Sequence, residues 1–413
     1  MRVVVIGINY PPEVAGIAPQ TAALCRHLSA EGHTVHVLTA KPHYPAWRVF
    51  AGYRQIRITR EVHDGVRVTR VPSYIPANPS SMIRRLLYDG SFALIAGLTA
   101  LRLPRADIYL YVGAQPAVAL AAALLARFNG RPWVAKVADL AVSAGAAVGL
   151  IPNRALIRLL RTVEYAIYRR ADVVFVLTEG FAEELARHGV CDHKLHLVRD
   201  SEDVGGLTPT TSRAEALLRN GLNPDRPLVT HIGSMGRKQG LRVAVQAAND
   251  DQTDASWLFV GDGPERPVIE RLAPAGRTCF LPFVSQAELA DILAASDVAL
   301  LTQRRRVIES VIPSKLITYM TAGLPVVASV HVESEAARLI RRSRCGLVVE
   351  PEASESLRSA IDELLADPNR RRQLGAAGRA FAEREFDRSR IVARQAAILD
   401  LLASGNERNR RSP

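Results

Sequence analysis

The chain has 413 residues, of which 48% are hydrophobic and 23% charged, and its formal net charge is +12 at pH 7. This length suits two or three globular domains, and the composition excludes a disordered or fibrous chain. No apolar run is long enough for a membrane-spanning helix, and the positive net charge favours anionic ligands such as phosphorylated substrates.

The cysteines and the first residues of the chain further limit the class of protein. The four cysteines are far apart and form no C-x-x-C pair, so we expect neither disulfides nor a cysteine metal site, as in a reducing cytoplasm. The opening "MRVVVIGINY" has an apolar run too short for a signal peptide and is interpreted as a first strand. Nucleic acid is not an expected partner, because no binding motif with interleaved aromatic residues is present.

Short β-branched runs alternate with longer helical patterns in the first half of the chain. Helical patterns such as 21–32 and 117–130 end at glycine, a common helix stop. This alternation is typical of parallel strands joined by helices, so it predicts an α/β doubly wound sheet. The predicted strands are 3–7, 34–39, 66–71, 107–113, 133–137 and 173–178.

The alternation stops at 201–226, which we interpret as a linker with one short helix, and then resumes. The second series of predicted strands is 228–233, 256–261, 278–284, 297–302, 325–330 and 346–350. The fold class is therefore α/β, with two Rossmann-like doubly wound domains facing each other across a cleft. The predicted divisions are 1–200, 201–226, 227–385, and a C-terminal helix with a basic tail at 386–413.

Two turns in the second domain have the residues that an anion site needs. "HIGSMGRKQGL" follows a strand with a flexible turn at Gly236 and two cations, Arg237 and Lys238. "IPSKL" places Ser314 and Lys315 at a helix start, where free backbone amides and the helix dipole favour anions. Two such sites on neighbouring loops predict a diphosphate site. The alternative is that the cations are only solvated and the loops only pack.

Further candidates follow other strands. In "FVGDGPER", Gly261 and Gly263 permit unusual backbone angles and Asp262 can hold the turn. In the strand-end segment "FLPFV", the main chain of Val284 could contact a flat base, although a plain strand end explains it equally well.

The first domain offers two candidates of its own. In "GINYPPEVAGIAP", Gly16 permits close approach of a ligand to the backbone, although a plain connecting loop would look the same. Asp139 ends a predicted strand and could contact a sugar hydroxyl or merely cap a helix. Glu164 is interpreted as a structural helix residue.

Taken together, "YPPEVAGIAP", "GSMGRKQGL", "FVGDGP" and "IPSKLITYMTAGLPVVA" resemble the family 4 glycosyltransferases of GT-B fold over residues 1–400. The subgroup of colanic-acid and L-fucosamine transferases is the most similar. The resemblance implies a first domain for the acceptor and a second for a nucleotide sugar, usually a UDP-sugar. It also implies transfer with retention and neither metal ion nor cofactor, in keeping with the absence of any D-x-D sequence.

The resemblance also suggests roles for individual residues. Arg237 and Lys238 match the basic pair at the diphosphate, Ser314 and Lys315 the phosphate-facing helix start, and Gly16 the glycine loop near the phosphates.

The sequence departs from the family where most members have two glutamates eight residues apart. The second of these positions is Thr318, which can still contact the ribose, and the first is Ser310, beside Glu309. The usual His-Asp or Gln-Asp pair is Ala138-Asp139 here, which leaves Asp139 and Glu309 as catalytic candidates. Besides a retaining transferase, a UDP-sugar epimerase and a catalytically weakened nucleotide-sugar-binding subunit stay open.

The acceptor is expected to be a saccharide, lipid-linked or small-molecule hydroxyl compound. The segment "SSMIRRLLYDGSFALIAG" (80–97) sets Arg84 and Arg85 beside apolar residues and predicts peripheral contact with the inner membrane face. The alternative is a buried amphipathic helix. The expected location is cytoplasmic.

Overall fold

The computed structural model describes residues 1–13, 16–77, 81–147, 153–201, 207–250, 253–307 and 312–411. The chain forms two compact units, one made of Met1–Asp200 with Ser389–Pro413 and the other of Ser201–Arg388. Among the described residues, no helix combines the length and the apolar character needed to cross a membrane.

The first unit contains an eight-stranded sheet in the order β3-β4-β2-β1-β5-β6-β7-β8. All neighbouring strands pair in parallel except β3, which is antiparallel to β4. The chain moves outward from β1 and then returns to place β5 on its other side, so the strand order reverses between β1 and β5. The strands are β1 Arg2–Ile6, β2 Thr34–Ala40, β3 Thr59–His63, β4 Val66–Val71, β5 Ile108–Gly113, β6 Trp133–Val137, β7 Val173–Val176 and β8 Leu195–Leu197.

Helices connect these strands, and local sequence explains several of their ends. Pro116 opens α3, where a missing N–H costs nothing, and Gly130 follows its last residue in the left-handed conformation. Asn153 caps α5 by accepting hydrogen bonds from two backbone amides. The helices are α1 Ala18–Ala30, α2 Met82–Ala100, α3 Pro116–Asn129, α4 Ala141–Ala147, α5 Arg154–Arg169 and α6 Glu179–Arg187.

The second unit contains a six-stranded parallel sheet in the order β11-β10-β9-β12-β13-β14. Its strand order reverses between β9 and β12, and ligands of open α/β sheets bind beyond the strand ends at such a point. The strands are β9 Leu228–Ile232, β10 Ser256–Val260, β11 Thr278–Leu281, β12 Val298–Thr302, β13 Val326–Ser329 and β14 Gly346–Val349.

Two apolar clusters sandwich the sheet of the second unit. One contains Leu258, Leu301 and Met320, and the other contains Trp257, Phe259 and Leu300. Successive side chains of a strand point to opposite faces, so neighbours along β10 enter different clusters. The helices are α7 Arg213–Arg219, α8 Arg242–Asn249, α9 Arg266–Leu272, α10 Gln286–Ala295, α11 Ser314–Thr321, α12 Glu335–Ser343, α13 Ser354–Ala366 and α14 Pro368–Glu385.

The last helix, α15 (Arg388–Arg411), joins the first unit. Its side chains Val392, Ala396 and Leu399 are buried in the same cluster as the residues of β1 and α1. Their spacing of three and four residues gives the helix one apolar face. The end of the chain therefore completes the core of the unit in which the chain begins.

Candidate functional site

The turn after β9 is held against the turn after β12 at the reversal point of the second sheet. Gly236 precedes a 3₁₀ turn at Arg237–Gln239, and Gly240 ends it in the left-handed conformation. The Thr302 hydroxyl donates to the carbonyl of Gln239 at 2.7 Å, and the backbone N–H of Arg304 donates to the carbonyl of Lys238 at 2.9 Å. These hydrogen bonds to the backbone carbonyls of Gln239 and Lys238 hold the turn, while the side chains of Arg237 and Lys238 are exposed.

Lys315 brings the two predicted anion sites together. It is the second residue of α11, and its Nζ lies 3.3 Å from Nε2 of His231 and 3.3 Å from Oε1 of Gln239. A Cβ on Gly233 would lie 3.7 Å from the same Nζ. The helix-start cation and the turn that carries Arg237 and Lys238 are therefore in direct contact.

His231 is 1% exposed, and burial, together with the charge of Lys315, holds its pKa well below the ordinary value. Its Nδ1 lies 3.4 Å from the carbonyl oxygen of Leu300. A neutral ring that donates from Nδ1 leaves Nε2 free to accept from Lys315. His231 and the Gln239 amide thus orient the ammonium group without cancelling its charge.

Tyr319 fixes the position of α11 relative to the strands. Its buried hydroxyl accepts from the backbone N–H of Ile232 at 2.9 Å and donates to the carbonyl of Leu300 at 3.1 Å. One side chain of α11 therefore bridges β9 and β12. At the helix start, Ser314 is exposed, and the Thr318 hydroxyl donates to the carbonyl of Ser314 at 3.2 Å.

The glycines after β10 let two turns approach each other at backbone distance. A Cβ on Gly261 would lie 2.0 Å from the carbonyl oxygen of Gly233, and one on Gly263 would lie 2.6 Å from the carbonyl of Met235. Asp262 holds this turn, because its Oδ1 accepts from the N–H of Gly263 at 2.7 Å. All three residues therefore have a packing role, and their contact with a ligand stays a prediction.

Two further residues of the second unit are Val284, which the sequence predicted as a site residue, and Glu265, which it did not. Val284 is partly buried against the core, and contact of its main chain with a flat base stays a prediction. The buried carboxylate of Glu265 was missed by sequence reasoning. Its Oε2 lies 3.6 Å from Nε of Arg242 and 3.7 Å from Nη2 of Arg304, and the backbone N–H of Glu265 donates to Met235.

In the first unit, Gly16 precedes α1 with a φ of +66°, and a Cβ there would lie 3.7 Å from the ring of Tyr44. Glu13, 1% exposed, accepts from the backbone amides of His43 at 2.7 Å and Tyr44 at 2.8 Å. Nε2 of His43 lies 2.8 Å from the Tyr88 hydroxyl. Sequence reasoning missed this network, and the only local signal is a carboxylate within "PPEVAG".

Asp139 follows β6, and its Oδ1 accepts from the N–H of Leu140 at 2.8 Å. The buried Glu164 of α5 accepts from the N–H of Ala141, the first residue of α4, at 3.0 Å. Burial raises the pKa of Glu164 to about 7, and the charge of Asp139 adds to this rise. Glu164 has the structural role expected of it, and it secures the segment that follows Asp139.

This pKa makes the stability of the first unit pH-dependent. The unfolded chain releases the Glu164 proton near the ordinary pKa of 4.5, whereas the folded protein keeps it to about pH 7. The free energy of unfolding should therefore fall by about 3–4 kcal/mol as the pH rises through this window, at about 1.4 kcal/mol per pKa unit. We expect Glu164→Gln to flatten the pH dependence of the thermal midpoint between these values. An unchanged slope in the variant would contradict this origin.

The structure does not describe the other predicted catalytic residue. Glu309 and its neighbour Ser310 lie outside the described residues. One group in the described part of the chain has the geometry of a possible metal site, formed by Glu31, His33 and Asp400, and it contains none of the predicted site residues.

Two family models match the chain and together cover most of it. Residues 15–200 match a model described as "Glycosyl transferase 4-like domain", and residues 213–381 match one described as "Glycosyl transferases group 1". These matches meet near the division between the two units.

Relatives and solved structures agree with these models. A putative colanic acid biosynthesis glycosyl transferase, WcaI of Escherichia coli, is 29% identical, with 95% of this chain and 98% of that protein covered. A GDP-mannose-dependent alpha-mannosyltransferase of Mycolicibacterium smegmatis is 27% identical, with 92% of each covered.

Anabaena HepE, solved in complex with UDP, has the same fold with a TM-score of 0.70 at 16% identity, with 97% of this chain and 100% of that chain covered. The same protein has also been solved with UDP-glucose.

The family models, the relatives and the solved structures together confirm the resemblance drawn from the sequence motifs. The chain belongs to the GT-B glycosyltransferases that carry a glycosyl transferase 4-like domain followed by a group 1 domain.

Proposed function

We propose that this glycosyltransferase is a retaining, metal-independent enzyme that transfers a hexosyl group from a UDP-sugar to an acceptor hydroxyl. The contact of Lys315 with His231 and Gln239 is the observation that carries the proposal. It supports a cationic group held in place beside the Arg237–Lys238 turn, at the reversal point of the second sheet.

Charge supplies the physical argument. As the bond between the sugar and its diphosphate breaks, negative charge grows on the diphosphate, and oriented cations stabilise the transition state more than the ground state. Lys315, Arg237 and Lys238 would supply that charge, and the first amides of α11 would add hydrogen-bond donors. This cationic set takes the place that a divalent ion has in other transferases, so no metal is required.

The reaction we propose is a front-face substitution. The acceptor oxygen bonds to the anomeric carbon on the side from which the phosphate oxygen departs, and the acceptor proton passes to that phosphate oxygen. Configuration is thereby retained, and the products are the glycoside and UDP.

The other proposed roles follow the sequence analysis. The first unit takes the acceptor and the second the donor. Gly16, Gly236, Ser314 and the turn at Gly261, Asp262 and Gly263 would approach or support the phosphates. Thr318 would contact the ribose and Val284 the base. Asp139 and Glu309 would contact the transferred sugar.

We propose uracil as the base, since HepE binds UDP and UDP-glucose, and the competing donor is a GDP-sugar, as in the mycobacterial relative. Thermal midpoints measured with UDP-, GDP- and ADP-sugars at equal concentration should rise most with a UDP-sugar, because bound ligand stabilises by mass action. The rise should persist in EDTA. A larger rise with GDP-mannose would overturn the choice of uracil as the base. Loss of the UDP-sugar rise in EDTA would overturn metal independence.

Retention is tested with the best-stabilising donor and a panel of saccharide, lipid-linked and small-molecule hydroxyl acceptors. The anomeric configuration of the product, read by NMR coupling constants, should equal that of the donor. An inverted product would refute the mechanism. A new sugar nucleotide formed without acceptor would indicate epimerisation, and donor binding without turnover on any acceptor would indicate a binding subunit.

We further propose that the protein works in the cytoplasm with peripheral contact to the membrane, where a lipid-linked acceptor would lie.

A further inference from the structure

An open apolar groove runs between two helices of the first unit. Helices α2 and α3 pack side by side, and the groove between them has a volume of about 920 Å³. Its exposed large apolar side chains are Leu94, Leu98, Leu101, Leu120, Leu124 and Phe128.

These side chains are exposed to a degree that is unusual for a water-facing surface. Phe128 is 80% exposed, Leu94 63% and Leu124 57%. Single exposed leucines are common, but a contiguous apolar patch of this kind marks a surface that contacts another apolar phase or partner.

The helices that form and flank the groove carry mainly positive charge. Helix α5 packs against α3, so α2, α3 and α5 are consecutive neighbours. Their acids are only Asp89, which is partly buried, and Glu164, which is fully buried. Burial raises the pKa of each to about 7. Their arginines are Arg84, Arg85, Arg127, Arg154, Arg158, Arg161 and Arg169.

The arginines of α5 line a pocket of about 510 Å³. The rings of His188 and Tyr165 stack with their centroids 4.1 Å apart, and both line this pocket. Nε of Arg161 is buried and has no hydrogen-bond partner among the described residues. Guanidinium groups match the geometry of phosphate oxygens, so this pocket suits a phosphate group.

We propose that the α2–α3 groove and the α5 arginine pocket form one docking surface for an anionic lipid bilayer. The groove side chains enter the boundary between headgroups and acyl chains, and the arginines bind lipid phosphates. A bilayer presents apolar and anionic chemistry side by side, as this surface requires. A second copy of the chain would bring the same arginines to the contact, and the two copies would repel each other. An acidic protein would pair with the arginines but would leave the apolar groove exposed to water.

This inference specifies the membrane contact proposed above. It does not depend on the donor or on the stereochemistry of transfer, so donor binding in solution is a separate readout. Each arginine near an anionic surface should strengthen binding by about fivefold.

The test is sedimentation of the full chain with vesicles of phosphatidylcholine alone or mixed with phosphatidylglycerol. We expect binding to the mixed vesicles to be at least tenfold tighter and to weaken with salt. Two double variants should each lower the affinity for mixed vesicles at least fivefold. One combines Leu98→Ser with Phe128→Ser, and the other combines Arg154→Gln with Arg158→Gln. Matched controls on exposed side chains of the same unit, Leu401→Ser and Arg26→Gln, should bind like the wild type.

Circular dichroism and the thermal shift with a UDP-sugar should be unchanged in all these variants, which separates loss of docking from loss of folding or of donor binding. The proposal would be overturned if the wild-type protein did not bind the mixed vesicles more tightly than phosphatidylcholine vesicles. Groove variants that bind the mixed vesicles normally would also overturn it, as would concentration-dependent self-association that the groove variants abolish, since the latter would assign the groove to a second copy. Competition by inorganic phosphate at equal ionic strength, without any effect of the groove variants, would assign the pocket to a soluble phosphate instead.

Discussion

Replacing Lys315 by alanine is expected to lower kcat/KM for sugar transfer by about 100- to 1000-fold, the range typical for loss of one oriented transition-state donor. The ammonium group lies between His231 and Gln239, at 3.3 Å from each. In the proposed mechanism its charge stabilises negative charge that grows during bond breaking, so kcat should fall as well as binding. Steady-state kinetics with the best-stabilising donor would measure both effects.

The matched control removes a positive charge from the same unit without touching the site. Arg384 is exposed on α14 beside Glu385, and Arg384→Ala should leave the kinetics unchanged. Lys315→Arg should restore part of the loss, because it keeps the charge but not the fit to His231 and Gln239. A Lys315→Ala variant with normal kcat and a raised KM alone would show that the lysine binds substrate and transition state equally.

This site shows what the sequence could and could not predict. The helix start at Ser314 and the cation at Lys315 were predicted from local pattern, and α11 begins at Ser314. The partners His231 and Gln239 were missed, since they lie 84 and 76 residues away along the chain. A strand residue such as His231 has the same local signal whether it faces the core or a lysine.

The fold was largely predictable because buried parallel strands form continuous apolar runs. The two strands that were missed break that rule in different ways. The strand β3, "TREVH", is a polar edge strand with mostly exposed residues, and β8, "LHL", has only three residues. The docking of α15 on the first unit was also beyond local pattern, because an amphipathic helix does not specify which core it joins.

The surface that we propose for membrane docking was predicted only in part from the sequence. The sequence indicated contact through residues 80–97 alone, with a buried helix as the alternative. In the structure α2 buries one face, including Tyr88 and Phe92, and exposes Leu94 and Leu98 on another. The second wall of the groove comes from α3, which only side-by-side helix packing reveals.

Replacing Gly261 by alanine is expected to destabilise the second unit by about 3–5 kcal/mol, combining overpacking with strain at positive φ. Its φ is +136°, and the added methyl would lie 2.0 Å from the carbonyl oxygen of Gly233. Backbone rather than a flexible side chain occupies that space, so the two turns must separate. The same shift would displace the Gly233 turn, which lies beside Lys315, so donor binding should be lost even where the unit still folds.

Gly276→Ala is the matched control, because it introduces the same methyl at a φ of +76° with nothing within 4 Å. Only backbone strain of about 1–2 kcal/mol remains there. Hydrogen exchange of peptides from β9 and β10 reports on the second unit alone and avoids treating a two-unit chain as two-state. Protection should fall far more in Gly261→Ala than in Gly276→Ala. Equal losses would mean that the turns after β9 and β10 can move apart freely. The cation at Lys315 would then lack the rigid support on which its proposed effect on the diphosphate depends.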